Sequence, residues 1–118
     1  MRAKDELGRN GERAAADYLR SHGMRILDQN WRCDFGEIDI VAADRQVFVV
    51  CEVKTRSSQR YGSPLEAVTR AKLRRLRRLG VAWLNAHGVR FDQVRIDVVG
   101  VLYEGTGGFT IAHVKGVG

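Results

Sequence analysis

The sequence has few cysteines: Cys33 and Cys51 are the two among 118 residues. They are too few and too far apart for a disulfide framework, and they lack the paired spacing of a zinc site. Pro64 is the one proline, and there are no tandem repeats or low-complexity segments. Solenoid and linker-like architectures are therefore not expected. No apolar run approaches the ~20 residues that a membrane span needs, because charges interrupt every stretch. Met1-Arg2-Ala3-Lys4-Asp5-Glu6 leads into no apolar segment of the secretory type. His22, His87 and His113 are scattered, and Gly8, Gly11 and the Gly105-Thr106-Gly107-Gly108 run match no phosphate-loop pattern. These absences point away from a membrane partner and toward a cytoplasmic setting.

What is present is an ordinary globular balance, 44% hydrophobic and 29% charged. A chain of 13.3 kDa suits one compact domain over residues 1–118, burying roughly two-thirds of its unfolded surface. Twenty Lys and Arg against fourteen Asp and Glu give a net charge of +6. The isoelectric point is near 9.9. This balance favours a polyanionic partner such as nucleic acid, or an acidic membrane surface.

Periodicity divides the chain into alternating element types. Leu7, Gly11, Ala14, Ala15, Tyr18 and Leu19 recur at helical spacing from Leu7 to His22, and Gly23 ends the run. An extended segment follows from Arg25 to Arg32. Residues 37–41 and 47–54 are rich in β-branched side chains, with a short polar connection at 43–46 that reads as a hairpin. Gln59 to Ser63 reads as a loop. Ser63-Pro64-Leu65-Glu66 then carries capping chemistry for a helix reaching about Ala86, with Leu65, Val68, Leu73, Leu76, Leu79 and Trp83 on one stripe. Val94 to Leu102 reads as a buried strand and Phe109 to Val114 as an edge strand. The expected fold is α/β, a central mixed β-sheet flanked by helices.

Strand alternation places Phe48, Val50, Glu52 and Lys54 on one face and Val49, Cys51 and Val53 on the other. An acid and an amine thus sit side by side near the end of an interior strand, and a hairpin brings Asp39 alongside. Buried charges need partners. Asp39 and Glu52 could hold Mg²⁺ or Mn²⁺ through oxygen atoms, leaving positions for water and phosphate. Lys54 could then orient the water or stabilise developing charge. The alternative is structural: Lys54 neutralises Glu52, and Asp39 partners an arginine. Glu12 lies about 60° from Ala15 on the helical wheel, so it either supplies a third carboxylate or reaches water at the boundary. Asp97 reads as a structural partner for an arginine, with a metal role as the lesser alternative.

The second helix carries Arg70, Arg74, Arg77 and Arg78 on one face, with Arg75 on another flank, and no acid follows Glu66 in it. Such a stripe can track phosphates without reading sequence; its plain alternative is a solvated face. Lys72 falls inside the apolar stripe, where it either snorkels outward or enters the site as a second positive group.

With Gly11-Glu12, Gly36-Glu37-Ile38-Asp39 and Glu52-Val53-Lys54-Thr55-Arg56 in view, nearly the whole chain resembles the YraN family. This family of small bacterial proteins is assigned to the PD-(D/E)XK, restriction-endonuclease-like superfamily and related in fold to archaeal Holliday-junction resolvases. The resemblance extends through Tyr61-Gly62-Ser63-Pro64-Leu65-Glu66-Ala67-Val68 to Asp97-Val98-Val99-Gly100. It implies a restriction-endonuclease-like sheet, with Glu12 as the helical acid, Asp39 as the motif aspartate, and Glu52 and Lys54 as the E-x-K pair. Ile38 stands where the superfamily name places proline. The implied activity is Mg²⁺- or Mn²⁺-dependent hydrolysis of branched or structured DNA. Glu12, Asp39 and Glu52 would be the metal side chains, and Arg70, Lys72, Arg74, Arg77 and Arg78 the backbone grip. A homodimer would suit two symmetric cuts. The competing classes are a non-catalytic nucleic-acid-binding module that keeps the fold, and an interaction domain for an acidic protein.

Overall fold

β-Branched residues alternating through the middle of the chain build the centre of the molecule. The computed structural model describes residues 3–57, 68–105 and 107–118. The order is α1 (Ala3–Ser21), β1 (Arg25–Cys33), β2 (Gly36–Asp44), β3 (Val47–Arg56), α2 (Arg70–His87), β4 (Gln93–Tyr103) and β5 (Phe109–Val114). The strands form one mixed sheet in the order β1-β2-β3-β4-β5. Only β3 and β4 run parallel. This is the helix-flanked mixed sheet expected of a restriction-endonuclease-like domain, with β3 at its centre. No described helix is long and apolar enough to cross a membrane.

Each face of the sheet has its own core. On one face, Ala15, Ala16 and Leu19 of α1 pack against Ile40, Ala42, Val49, Cys51, Val99 and Val101. On the other, Leu76, Leu79 and Trp83 of α2 pack against Ile38, Val41, Phe48, Val50 and Ile96. Burying each large aliphatic side chain contributes about 1.5–3 kcal/mol. The Trp83 indole Nε1 donates to Asp28 Oδ2 at 2.8 Å, so its polar end is satisfied within the packing.

Three local readings differ from the structure. The 43–46 connection contracts: Ala43 and Asp44 remain in the ladder opposite Phe48 and Val47. The turn is left to Arg45 and Gln46, and Arg45 adopts a left-handed φ of 57°. The helix read as starting at Ser63 instead has an N-cap at Thr69. Thr69 is extended, with φ −90° and ψ 167°, and its side chain accepts from the Lys72 N–H. Val68 therefore lies outside α2, while the Gln59–Ser63 loop and the Ser63–Glu66 capping signal lie outside the described residues. The far end agrees with expectation, because Gly88 closes α2 in the left-handed conformation. β1, β2, β3 and β4 each run slightly past their expected ends, while α1 starts earlier, at Ala3, and stops at Ser21, one residue short of His22.

Helix α1 approaches β3 closely because position 11 is glycine. A Cβ there would overlap the Thr55 side chain, meeting Cγ2 at 2.8 Å and Cβ at 2.9 Å. Alanine gains up to about 1 kcal/mol of helix propensity, but overpacking costs roughly 1–3 kcal/mol. Thr55 Cβ is anchored to the backbone and cannot rotate away, so the overlap wins. Gly11→Ala is expected to destabilise the fold by about 1 kcal/mol or more in urea denaturation; a net gain in stability would contradict this packing.

Candidate active site

The ladder between β2 and β3 runs from Asp44↔Val47 to Ile40↔Cys51 and stops. Beyond it β2 stays paired with β1 through Gly36. β3 stays paired with β4 through Arg56. The sheet forks at Asp39 and Glu52. At the fork the Val53 N–H loses a ladder partner, and Asp39 Oδ2 accepts it at 2.9 Å. That hydrogen bond fixes the Asp39 carboxyl within hydrogen-bonding reach of Glu52.

Glu52 is 7% exposed and lies on the α2 face of β3, as its alternation with Phe48 and Val50 requires. Lys72 of α2 ion-pairs with Glu52 Oε2. Lys54 Nζ stands 3.8 Å from the same oxygen. The two readings of Lys72 are thus decided by geometry, since its amine enters the site. Asp39 has no arginine partner among the described residues.

Glu12 projects from α1 toward the same end of the sheet. Its Oε1 accepts from Asn30 Nδ2. Asn30 also donates to Glu37 Oε1 at 3.2 Å, and Glu37 Oε2 accepts from Arg32 at 3.0 Å. Glu12 is near enough for its charge to raise the Asp39 pKa, yet it is held by Asn30 rather than by the acid pair. Among the described residues, no three His, Cys, Asp or Glu side chains gather into a metal cage. Asn30 was not singled out by sequence reasoning. Its φ of 52° is a conformation that asparagine tolerates better than most residues, which is the one local signal for it.

The outer surface of α2 is basic. Arg70, Arg74, Arg75, Arg77 and Arg78 are exposed, and among the described residues none of them is ion-paired. Lys72 alone of the basic set turns inward. Asp97 is completely buried and belongs to a separate structural cluster. Arg95 holds both its oxygens at 2.8 and 3.0 Å, His113 Nε2 lies 2.8 Å away, and the Gly116 N–H donates at 3.1 Å.

A family model described as uncharacterised protein family UPF0102 matches residues 11–101. That span includes Gly11-Glu12, Asp39, the Glu52-x-Lys54 pair and all of α2. The chain belongs to the UPF0102 (YraN) family. A UPF0102 protein of Arthrobacter sp. strain FB24 is 58% identical over 118 residues, covering both chains completely. One of Paenarthrobacter aurescens strain TC1 is 55% identical over 117 residues, covering 99% of this chain and 97% of its own. A third, of Beutenbergia cavernae, is 51% identical over the full length of both.

The electrostatics of this UPF0102 site follow from its crowding. Burial first, then the hydrogen bond and charge of Glu52, push the Asp39 carboxyl up to about 8 against the pull of the Val53 N–H. Burial also acts to raise Glu52, but Asp39, Lys72 and Lys54 outweigh it and hold Glu52 below the usual carboxylate range. Burial and the neighbouring Lys72 lower the Lys54 amine, against the charge of Glu52. Burial opposes the charge on Lys72 too, but hydrogen bonding to Glu52 and Lys54 raises it overall. The pair is thus driven apart, Asp39 toward its protonated form and Glu52 toward its ionised form beside two amines.

Folded Asp39 keeps its proton to about pH 8, whereas an unfolded aspartate loses it near ~3.9. Between those values the native state binds the extra proton, so the Asp39 contribution to stability declines as pH rises through the interval. Asp39→Asn cannot ionise and escapes the decline. In metal-free buffer its thermal midpoint relative to wild type should be higher at about pH 9 than at about pH 5; equal differences at both pH values would contradict the raised Asp39 pKa.

Proposed function

We propose that this chain is a Mg²⁺- or Mn²⁺-dependent DNA endonuclease that hydrolyses phosphodiester bonds in branched or structured DNA. The observation that carries the reading is the pair Asp39 and Glu52, two carboxyl groups from parting strands held against each other beside two lysines. Its donor set fits a hard divalent cation: both ligands offer oxygen, and Mg²⁺ is commonly held by one or two carboxylates with water and phosphate completing its shell. A proton that two acids must share is also one that a cation can replace. Bound there, the metal would supply an activated water and neutralise charge on the phosphate.

The chain's own residues have separate tasks. Asp39, fixed by the Val53 N–H, and Glu52 hold the cation side of the site. Glu12, through Asn30, adds negative charge behind Asp39. Lys54, with a lowered pKa, orients the attacking water or meets the charge developing on the phosphate. Lys72 must yield Glu52 Oε2 or share it, and its amine then faces the substrate phosphate. Arg70, Arg74, Arg77 and Arg78 grip the DNA backbone without reading bases. The reading carries a cytoplasmic setting, which the free thiols Cys33 and Cys51 suit, and a homodimer where two symmetric cuts are made.

A second reading, a nucleic-acid-binding module without catalysis, is favoured by one observation. Lys72 already satisfies Glu52, so the acids have a structural use. Labelled junction, flap and duplex DNAs incubated with Mn²⁺ separate the two. Wild type should cut a branched substrate, and Glu52→Ala or Lys54→Ala should lower the rate roughly 100- to 1,000-fold while retaining binding. Absence of cutting by wild type on every substrate, with binding intact, favours the module.

The arginine stripe makes a separate expectation. Arg74→Ala should weaken DNA binding similarly for all sequences and reduce the slope of log affinity against log salt by about 1. An unchanged slope in anisotropy titrations would remove Arg74 from the interface.

A further inference from the structure

The turn between β1 and β2 carries a residue that the turn does not require. Cys33 and Gly36 form the last pair of the ladder, leaving Asp34 and Phe35 at the tip. Such tips favour glycine, asparagine and aspartate. Phe35 instead is an aromatic ring 40% exposed. The hairpin tip is brought against α2 by Gly36, whose φ is 153° and whose missing Cβ leaves room for Leu79 Cδ1 at 3.2 Å from the position it would take. This approach sets Phe35 beside the basic helix. The Arg78 guanidinium carbon lies 4.9 Å from the centre of the Phe35 ring.

Phe35, Arg77, Arg78, Val81, Ala82 and Asn85 line an open groove of about 390 Å³. Val81 is 51% exposed. The groove has an aromatic face, an aliphatic floor, an amide, and two guanidinium groups. No acid occurs anywhere in α2, and neither arginine is ion-paired among the described residues. An apolar patch ringed by unpaired positive charge is a poor match for an aliphatic protein surface and a good one for an unpaired nucleotide. A base offers a π-face to the ring and hydrogen-bonding edges to an amide, and its phosphates complement the arginines. Along α2, Arg78 is six residues from Lys72, about 9 Å of rise and about 120° around the helix, so the groove opens on an outer flank of the helix that covers the acid pair's face of the sheet.

We propose that this groove binds an unpaired nucleotide, stacked on Phe35 with Arg77 and Arg78 on its flanking phosphates, so that the protein selects DNA in which a single strand adjoins a duplex. The inference rests on the nuclease reading for the identity of the polymer and names its substrate class. Arg78 is already poised over the ring and moves to the phosphate as the base stacks. Asn85 meets whichever base edge is presented, so the site tolerates any sequence.

The test is a binding measurement in EDTA, where no cutting can intervene. Fluorescence anisotropy compares a labelled oligodeoxythymidine, a flap and a blunt duplex on wild type, Phe35→Ala and Phe35→Trp. Phe35→Ala should weaken the single strand and the flap by about 10- to 100-fold, the effect of one base–aromatic stack, and the duplex by less than about twofold. Phe35→Trp should restore binding, and its added emission, measured as the difference from wild type, should be quenched by the oligonucleotide. The proposal is overturned if wild type does not bind the single strand, or if Phe35→Ala weakens duplex and single strand alike or neither. It is also overturned if Phe35→Ala turns a sedimenting dimer into a monomer with single-strand affinity unchanged, because the patch is then a self-interface. Failure here leaves metal-dependent cleavage to be judged separately, and a chain that never cuts can still show the stack.

Discussion

Everything distinctive about this molecule depends on the place where two neighbouring strands stop pairing. β2 leaves β3 after Ile40↔Cys51, and an unpaired Val53 N–H in the sheet interior would cost about 1–3 kcal/mol if left without an acceptor. The Asp39 carboxyl removes that penalty at 2.9 Å. It also brings a second acid against Glu52, in surroundings where two negative charges cannot both persist. The backbone requirement comes first, and the unusual charge state of the pair follows from it.

The two helices meet this fork on different terms. α1 uses small residues, Gly11, Ala15 and Ala16, to lie close to the sheet, which brings Glu12 within electrostatic range of Asp39. α2 packs through leucines and Trp83, with Gly80 at its close approach to Val50 of β3, and Lys72 extends inward along its stem to Glu52. One turn of the same helix can therefore send an amine into the site while its arginines stay in water.

Period-two alternation was enough to put Glu52 and Lys54 on one face with Phe48 and Val50, because burial on both sides of β3 leaves no other register. It also put β3 in the interior. It could not reveal the fork, since the loss of pairing at Asp39 depends on how β1 and β4 pull their partners, and neither pull is local. The fate of Lys72 was ambiguous for the same reason: the wheel placed it among leucines, and only the acid across the gap determines its direction. The start of α2 shows a different limit. Ser63 and Thr69 both have capping side chains, so local chemistry allows more than one start, and the observed cap is Thr69. Arg45 in a left-handed turn has no composition signal at all; the two flanking strands impose it.

The molecule contains a control for the argument about its acids. Asp97 is more deeply buried than Glu52, yet Arg95 takes both its oxygens, His113 lies against one, and the Gly116 N–H completes the set. Burial acts to raise Asp97, and these partners overcome it and hold the group below the ordinary carboxylate range. With its lone pairs directed at fixed donors, Asp97 has little left to offer a cation. Asp39 has one backbone donor and the neighbouring acid, and its pKa goes the other way. Burial is common to both places; the difference is the supply of fixed donors. A carboxyl group that the fold buries but leaves short of fixed donors is the one driven toward its protonated form, and of the two places in this sheet only the fork leaves an acid in that condition.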